Sequence, residues 1–118
     1  MASHKLQRTT EDIRRELTDI IRSMKDPRIS GMLSIVRVDL TNDMSHCKVY
    51  ISSMEGLEAA REAVKGLTSG AGFIRREINL RLDMRRSPDF KFIADDSIEH
   101  SADINRRLGQ IIRPEGDQ

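Results

Sequence analysis

Ile13, Leu17, Ile20, Ile21 and Met24 recur at the spacing of a single helix face, with Arg14, Arg15, Asp19 and Arg22 on the others. Thr9 or Thr10 makes a fitting N-cap, and Glu11 and Asp12 suit a first turn in which the macrodipole favours acids. The polar stretch Met1 to Arg8 reads as a tail. Asp26-Pro27 stops the helix, because proline disfavours helical geometry in the residue before it. The period then changes to two. Between Leu33 and Thr41, Val36, Val38 and Leu40 point one way, with Arg37, Asp39 and Thr41 opposite. Thr41-Asn42-Asp43-Met44 supplies turn chemistry, after which Cys47, Val49 and Ile51 alternate with His46, Lys48, Tyr50 and Ser52. Two such runs predict an antiparallel hairpin with one wet face.

From Leu57 the helical period returns. Leu57, Ala60, Val64 and Leu67 share one face; beyond Gly70-Ala71-Gly72, Ile74, Ile78 and Leu82 share another. Ser87-Pro88 marks an end, and Phe90, Phe92 and Ala94 then alternate with Lys91 and Ile93 as a third strand. Asp96-Ser97-Ile98-Glu99 has the form of a capping box, followed by a final helical pattern at Ile98, Ala102, Ile104, Leu108 and Ile111. The order helix, strand, strand, helix–kink–helix, strand, helix predicts an α+β two-layer sandwich, with helices on one face of a small sheet. Arg37, Lys48, Tyr50 and Lys91 would line the other face, open to solvent or a partner.

At 118 residues the chain is expected to form one domain, spanning 5–112 with loose tails at 1–4 and 113–118. No apolar run exceeds three residues, so neither a membrane span nor a signal-peptide core is expected, and a cytoplasmic location is. The single Cys47 and the scattered His4, His46 and His100 offer neither a disulfide nor a metal-ligand spacing. No metal, cofactor or small-molecule substrate is expected, and nothing calls for an obligate dimer. Net charge is only +1, which by itself makes no case for nucleic acid. The charge is uneven, however: residues 57–94 hold eight Lys/Arg against five Asp/Glu, whereas 95–118 hold six acids against three arginines. Separated signs can build a basic face that a net figure conceals.

The chemistry concentrates at Gly70-Ala71-Gly72-Phe73-Ile74-Arg75-Arg76. Each glycine costs a helix interior about 1 kcal/mol relative to alanine, so the triplet predicts a kink. A helix restarting near Gly72 puts Arg75 and Arg76 in its first turn, where cations are disfavoured unless an anion stands in front of them. Arg81, Arg85 and Arg86 extend the basic stretch, and Lys25 and Arg28 flank the proline turn, either completing a helix C-terminus or meeting the same anion. Gly72→Val is expected to damage the kink through its β-branch. Phe90 and Phe92 share one alternating face and are expected in the core, which leaves few aromatics for stacking on bases. Asp95-Asp96 is explained as a helix cap rather than an acid–base pair.

Four segments carry a resemblance to a known family: Lys25-Asp26-Pro27-Arg28-Ile29, Lys48-Val49-Tyr50-Ile51-Ser52, Gly72-Phe73-Ile74-Arg75-Arg76, and Pro88-Asp89-Phe90-Lys91-Phe92 leading into Asp95-Asp96-Ser97. In this order and spacing, from about Lys5 to Ile112, the chain resembles the ribosome-binding factor A family, whose members assist maturation of the small ribosomal subunit. The resemblance implies a type II KH-like fold with the third strand beside and parallel to the first. It also implies an Ala-x-Gly kink in place of the Gly-x-x-Gly loop by which KH domains grip nucleic-acid backbone. Here Gly70 stands at the usual alanine position, a departure that would loosen the kink.

The function implied is that of a non-enzymatic assembly factor. It would bind the immature 30S subunit and assist 16S ribosomal RNA folding and processing near its 5′ end. The residues expected to contact RNA are Gly70, Ala71, Gly72, Arg75, Arg76, Arg81, Arg85, Arg86, Lys25 and Arg28. The alternative is a protein–protein adaptor working through the open sheet face or the acidic C-terminal helix.

Overall fold

The computed structural model describes residues 4–29 and 32–96. Its elements are α1 (His4–Ser23), β1 (Leu33–Leu40), β2 (His46–Ser53), α2 (Leu57–Ser69), α3 (Ala71–Leu82) and β3 (Asp89–Ala94). The expected order is thus observed as far as β3. The predicted C-terminal helix, its Asp96 to Glu99 cap and both expected tails lie wholly or mostly outside the described residues.

α1 begins earlier than its capping residues suggested. Leu6 is buried, and Thr10, rather than capping a start, turns its hydroxyl back to donate to the Leu6 carbonyl at 2.7 Å. Burying one more leucine outweighs the cap: full burial of such a side chain contributes roughly 1.5–3 kcal/mol, a cap about 1. The rest of the apolar stripe behaves as its spacing predicts, with Ile13, Leu17, Ile20 and Ile21 all in the core.

β1 and β2 form the predicted antiparallel hairpin, running from Leu33 opposite Ser53 to Leu40 opposite Cys47. Asp43 closes the turn by accepting bonds from Thr41 Oγ1 (2.8 Å), Ser45 N (3.1 Å) and Ser45 Oγ (2.7 Å). Those donors, Ser45 foremost, hold its carboxyl down to about 2. One expectation fails inside β1. The register shifts between Ile35 and Arg37, so Val36 is the extra residue of a β-bulge. The core side of β1 is therefore Leu33 and Ile35 before the bulge and Val38 and Leu40 after it, without Val36. Arg14 reaches across from α1 and donates to the Ile35 carbonyl at 2.6 Å, beside the irregularity.

The sheet order is β1-β2-β3, with β3 parallel to β2 from His46 opposite Asp89 to Ile51 opposite Ala94. This corrects the implied pairing of the third strand with the first. β2 is the central strand, and its Cys47, Val49 and Ile51 are the most deeply buried alternating set in the sheet. A helical pair linking adjacent parallel strands is the crossover such strands require. Phe90 and Phe92 lie on the core face with ring centroids 6.2 Å apart, as their alternation predicted. Ile74 and Ile78 of α3 and Leu67 of α2 complete the core.

The glycines carry different constraints from those expected. At Gly66 an added Cβ would lie 2.8 Å from Ile29 Cγ1 and 3.2 Å from Asp26 Cγ, so the turn after α1 packs directly on the α2 backbone. At Gly72 the nearest atom would be Arg76 Nη1 at 3.7 Å, an ordinary contact. Crowding around a Cβ therefore gives no reason for Gly72 to be glycine, and the case for damage by Gly72→Val rests on its β-branch alone. We predict that Gly66→Ala destabilises by up to about 2 kcal/mol in denaturant unfolding, because overpacking of roughly 1–3 kcal/mol exceeds the helix-propensity gain. Gly72→Ala should be neutral or stabilising by up to about 1 kcal/mol.

Cys47 is 1% exposed, and burial pushes its thiol up from 9.0 to about 12. A folded thiol that keeps its proton beyond the point where the unfolded one releases it stabilises fully below about 9 and progressively less as pH rises towards 12. A disulfide reagent at pH 8 should accordingly label native protein at least about 100-fold more slowly than protein in guanidinium. Equal rates would contradict this burial.

Candidate nucleic-acid interface

α2 and α3 are separated by one residue. Gly70 has φ −94° and ψ 13°, a conformation open to any residue, so glycine is not demanded there by its backbone angles. What its missing side chain admits is the end of α1: a Cβ would lie 2.5 Å from the Met24 terminal methyl. The hydrogen-bond ladder runs through the bend, with Gly70 N donating to the Gly66 carbonyl at 3.1 Å and Ile74 N to the Gly70 carbonyl at 3.0 Å. A backbone N–H at the cap also donates to the Thr68 carbonyl, so the end of α2 partly satisfies the start of α3. α3 starts at Ala71, one residue before the predicted restart, so Arg75 and Arg76 fall just beyond the first turn.

Packing brings the proline turn beside this bend. Arg28 holds Asp26 with two guanidinium nitrogens, at 2.7 and 3.0 Å, and with its backbone N–H at 2.8 Å. These contacts, the side-chain bond first, pull the Asp26 carboxyl below its usual range. The same Arg28 Nη2 lies 3.4 Å from Ser69 Oγ at the end of α2. With Met24 against Gly70 and Ile29 against Gly66, segments about 40 residues apart in sequence form one surface.

The predicted cations divide by their partners. Arg81 is committed to the fold: its Nη1 meets Asp19 at 2.6 Å and Glu16 at 3.4 Å, and its Nε meets Glu77 at 3.3 Å, tying α3 to α1. Arg75 pairs with Asp89 at 3.1 Å, joining α3 to the start of β3, and Arg28 is spent on Asp26. Arg76, Lys25, Arg85 and Arg86 are exposed and make no ion pair among the described residues. Arg76 folds back over the bare backbone of Gly72, and Lys25 stands on the adjoining turn. Arg85 and Arg86 lie beyond the far end of α3, whose twelve residues measure roughly 18 Å, so they form a separate group rather than an extension of the bend.

Sequence reasoning overlooked Phe73 as a surface group. It is 39% exposed, and Leu80, two turns on, is 76% exposed. The signal was available in the spacing of Phe73, Arg76 and Leu80, which share a face opposite Ile74 and Ile78. The open side of the sheet carries Arg37 over the Tyr50 ring at 5.5 Å, bridged to Asp39 at 2.9 Å, with Lys48 and Lys91 in register beside it. Among the described residues no three His, Cys, Asp or Glu side chains are placed to hold a metal ion, and no helix is long and apolar enough to cross a membrane.

Comparison with known proteins agrees with the resemblance. The ribosome-binding factor A family profile matches residues 5–108. The ribosome-binding factor A of Clostridium novyi is 41% identical over 112 residues, covering 94% of this chain and 93% of that one. That of Acetivibrio thermocellus is 42% identical over 107 residues, covering 90% and 87%. Among solved structures, the crystal structure of ribosome-binding factor A from Thermus thermophilus superposes with a TM-score of 0.66 at 25% identity, over 75% of this chain and 92% of that one. A homology model of the Thermus thermophilus factor, fitted into a cryo-electron-microscopy map of a 30S–RbfA complex, gives 0.61 at 26% identity, over 72% and 89%. These neighbours share the KH-like α+β architecture described above. On this match along nearly its whole length, the chain belongs to the ribosome-binding factor A family.

Proposed function

We propose that this protein is an RNA-binding assembly factor of the small ribosomal subunit, working in the cytoplasm by binding alone. The observation that carries the reading is that only the Arg76 guanidinium lies near the missing side chain of Gly72, and that Arg76 meets no carboxylate among the described residues. The positive end of α3 lies at the same place. Arg76 and Lys25 then supply charge to a phosphate group at the bend, while Arg85 and Arg86 meet a second stretch of backbone at the far end of the helix. Such contacts position a protein on RNA without reading its sequence. The Thermus relative, a homology model fitted into the map of a 30S–RbfA complex, supports the small subunit as the partner.

In this reading the protein favours one fold of the 16S ribosomal RNA near its 5′ end and leaves as the RNA matures. Binding directed at one conformer shifts its population, and no bond is made or broken. Arg81, Arg75 and Arg28 serve the reading indirectly, by fixing the helix and turn that present the exposed cations.

A salt titration separates the two classes of arginine. Lys25→Gln combined with Arg76→Gln should reduce the slope of log affinity against log salt by about 1.4–1.8, with little change in thermal melting. Arg81→Gln should lower the melting temperature and leave the slope as it was. An unchanged slope in the Lys25/Arg76 variant, measured with small-subunit ribosomal RNA, would show that the bend does not carry the contact and would favour the protein–protein adaptor.

A further inference from the structure

α3 is apolar on two sides. Ile74 and Ile78 are fully buried against the sheet and α1, whereas Phe73 and Leu80 face outward with Arg76 between them. At 3.6 residues per turn these three side chains fall within about 60° of one another. A surface helix ordinarily has one apolar stripe, so a second with nothing over it among the described residues calls for a partner.

The chain has three phenylalanines, one tyrosine and no tryptophan. Phe90 and Phe92 pack on one another in the core, and the Tyr50 ring is covered by Arg37. Phe73 is the remaining aromatic ring, and it stands next to the residue where the backbone is barest. Side chains three apart on a helix are neighbours, roughly 5–6 Å between Cβ atoms. Phe73 and Arg76 thus place side by side an aromatic face and a guanidinium that makes no ion pair among the described residues. A nucleotide matches that pair, since its base and phosphate are joined through a single sugar.

We propose that Phe73 is a base-stacking residue, which receives the face of an unpaired nucleobase whose phosphate lies at the bend against Arg76 and the α3 N-terminus. Leu80 extends the apolar surface to the neighbouring nucleotide. This inference rests on the RNA reading above and adds to it a preference for an unpaired base at the bend, where phosphate contacts alone would accept any backbone. It also amends the expectation that aromatics for stacking are scarce. A protein partner fits the stripe less well, because the apolar residues are interrupted by Arg76 and form no continuous groove. Base stacking on an aromatic residue is sequence-tolerant and independent of charge, whereas phosphate contacts weaken with salt.

That difference defines the experiment. Phe73→Leu keeps an apolar side chain of similar size and removes the ring; it should weaken binding to a 16S ribosomal RNA transcript roughly 5- to 100-fold with an unchanged salt slope. Phe73→Trp should bind as well as the native chain. As the only tryptophan in the chain, it should lose fluorescence on adding the transcript. Native affinity in Phe73→Leu together with unquenched emission in Phe73→Trp would overturn the stacking role, and the RNA reading would survive if Arg76→Gln still lowered the slope. Should Arg76→Gln be inert as well, the RNA reading falls with it. A Phe73→Leu defect seen with intact small subunits but absent with the transcript would assign the stripe to a ribosomal protein and overturn the proposal.

Discussion

The approach of the Asp26–Ile29 turn to the backbone of α2 sets where everything else on this face can lie. Gly66 allows Ile29 to sit where a side chain would otherwise be, and Met24 fills the corresponding space at Gly70. Arg28 grips Asp26 to hold the turn in shape and reaches Ser69. The end of α1 is thereby clamped to the end of α2, one turn before the chain bends. α3 must leave in a direction that lets Ile74 and Ile78 reach the core, and its outer face follows from that. Interiors are packed closely enough that a methyl-sized change at such a contact is felt.

Charge is sorted on the same scaffold. The arginines nearest other elements are drawn into carboxylate pairs, Arg81 with three acids and Arg75 with Asp89. Exposed pairs of this kind contribute little each to stability. Their effect is geometric, since they fix α3 against α1 and β3 and consume cations that would otherwise add to the basic face. Of the cations expected to contact RNA, those left without an ion pair among the described residues stand at the bend and beyond the far end of α3. The result is a chain of nearly neutral net charge that still presents unpaired cations at both ends of α3.

Elements whose side chains answer to one local period were legible from the residues: the α1 stripe, the β2 alternation, Phe90 and Phe92, and the break at Gly70. The Asp43 turn was legible for the same reason, because its hydrogen bonds close within five residues. What escaped depended on a partner elsewhere in the chain. Leu6 joins the helix because a core is waiting for it; Val36 leaves its row because a bulge intervenes; and nothing local marks Gly66 as the place where Ile29 packs on the α2 backbone. The residues themselves left strand order open, since hydrophobic alternation says which face a strand buries and nothing about which neighbour it takes, and the pairing implied by the resemblance gives way to β3 beside β2.

The sequence by itself determined the elements, the core faces, the bend and the set of candidate cations, because helix and strand periods, glycine and proline act over a few residues. Only the tertiary structure decided which of those cations are free. A guanidinium's availability depends on carboxylates brought to it by packing, and Asp19 meets Arg81 across 62 residues of chain while Arg76, five positions away, meets none among the described residues. It also decided that Phe73 faces outward, since a residue with an apolar helix face on either side of it is assigned to core or surface only when the sheet takes one of them.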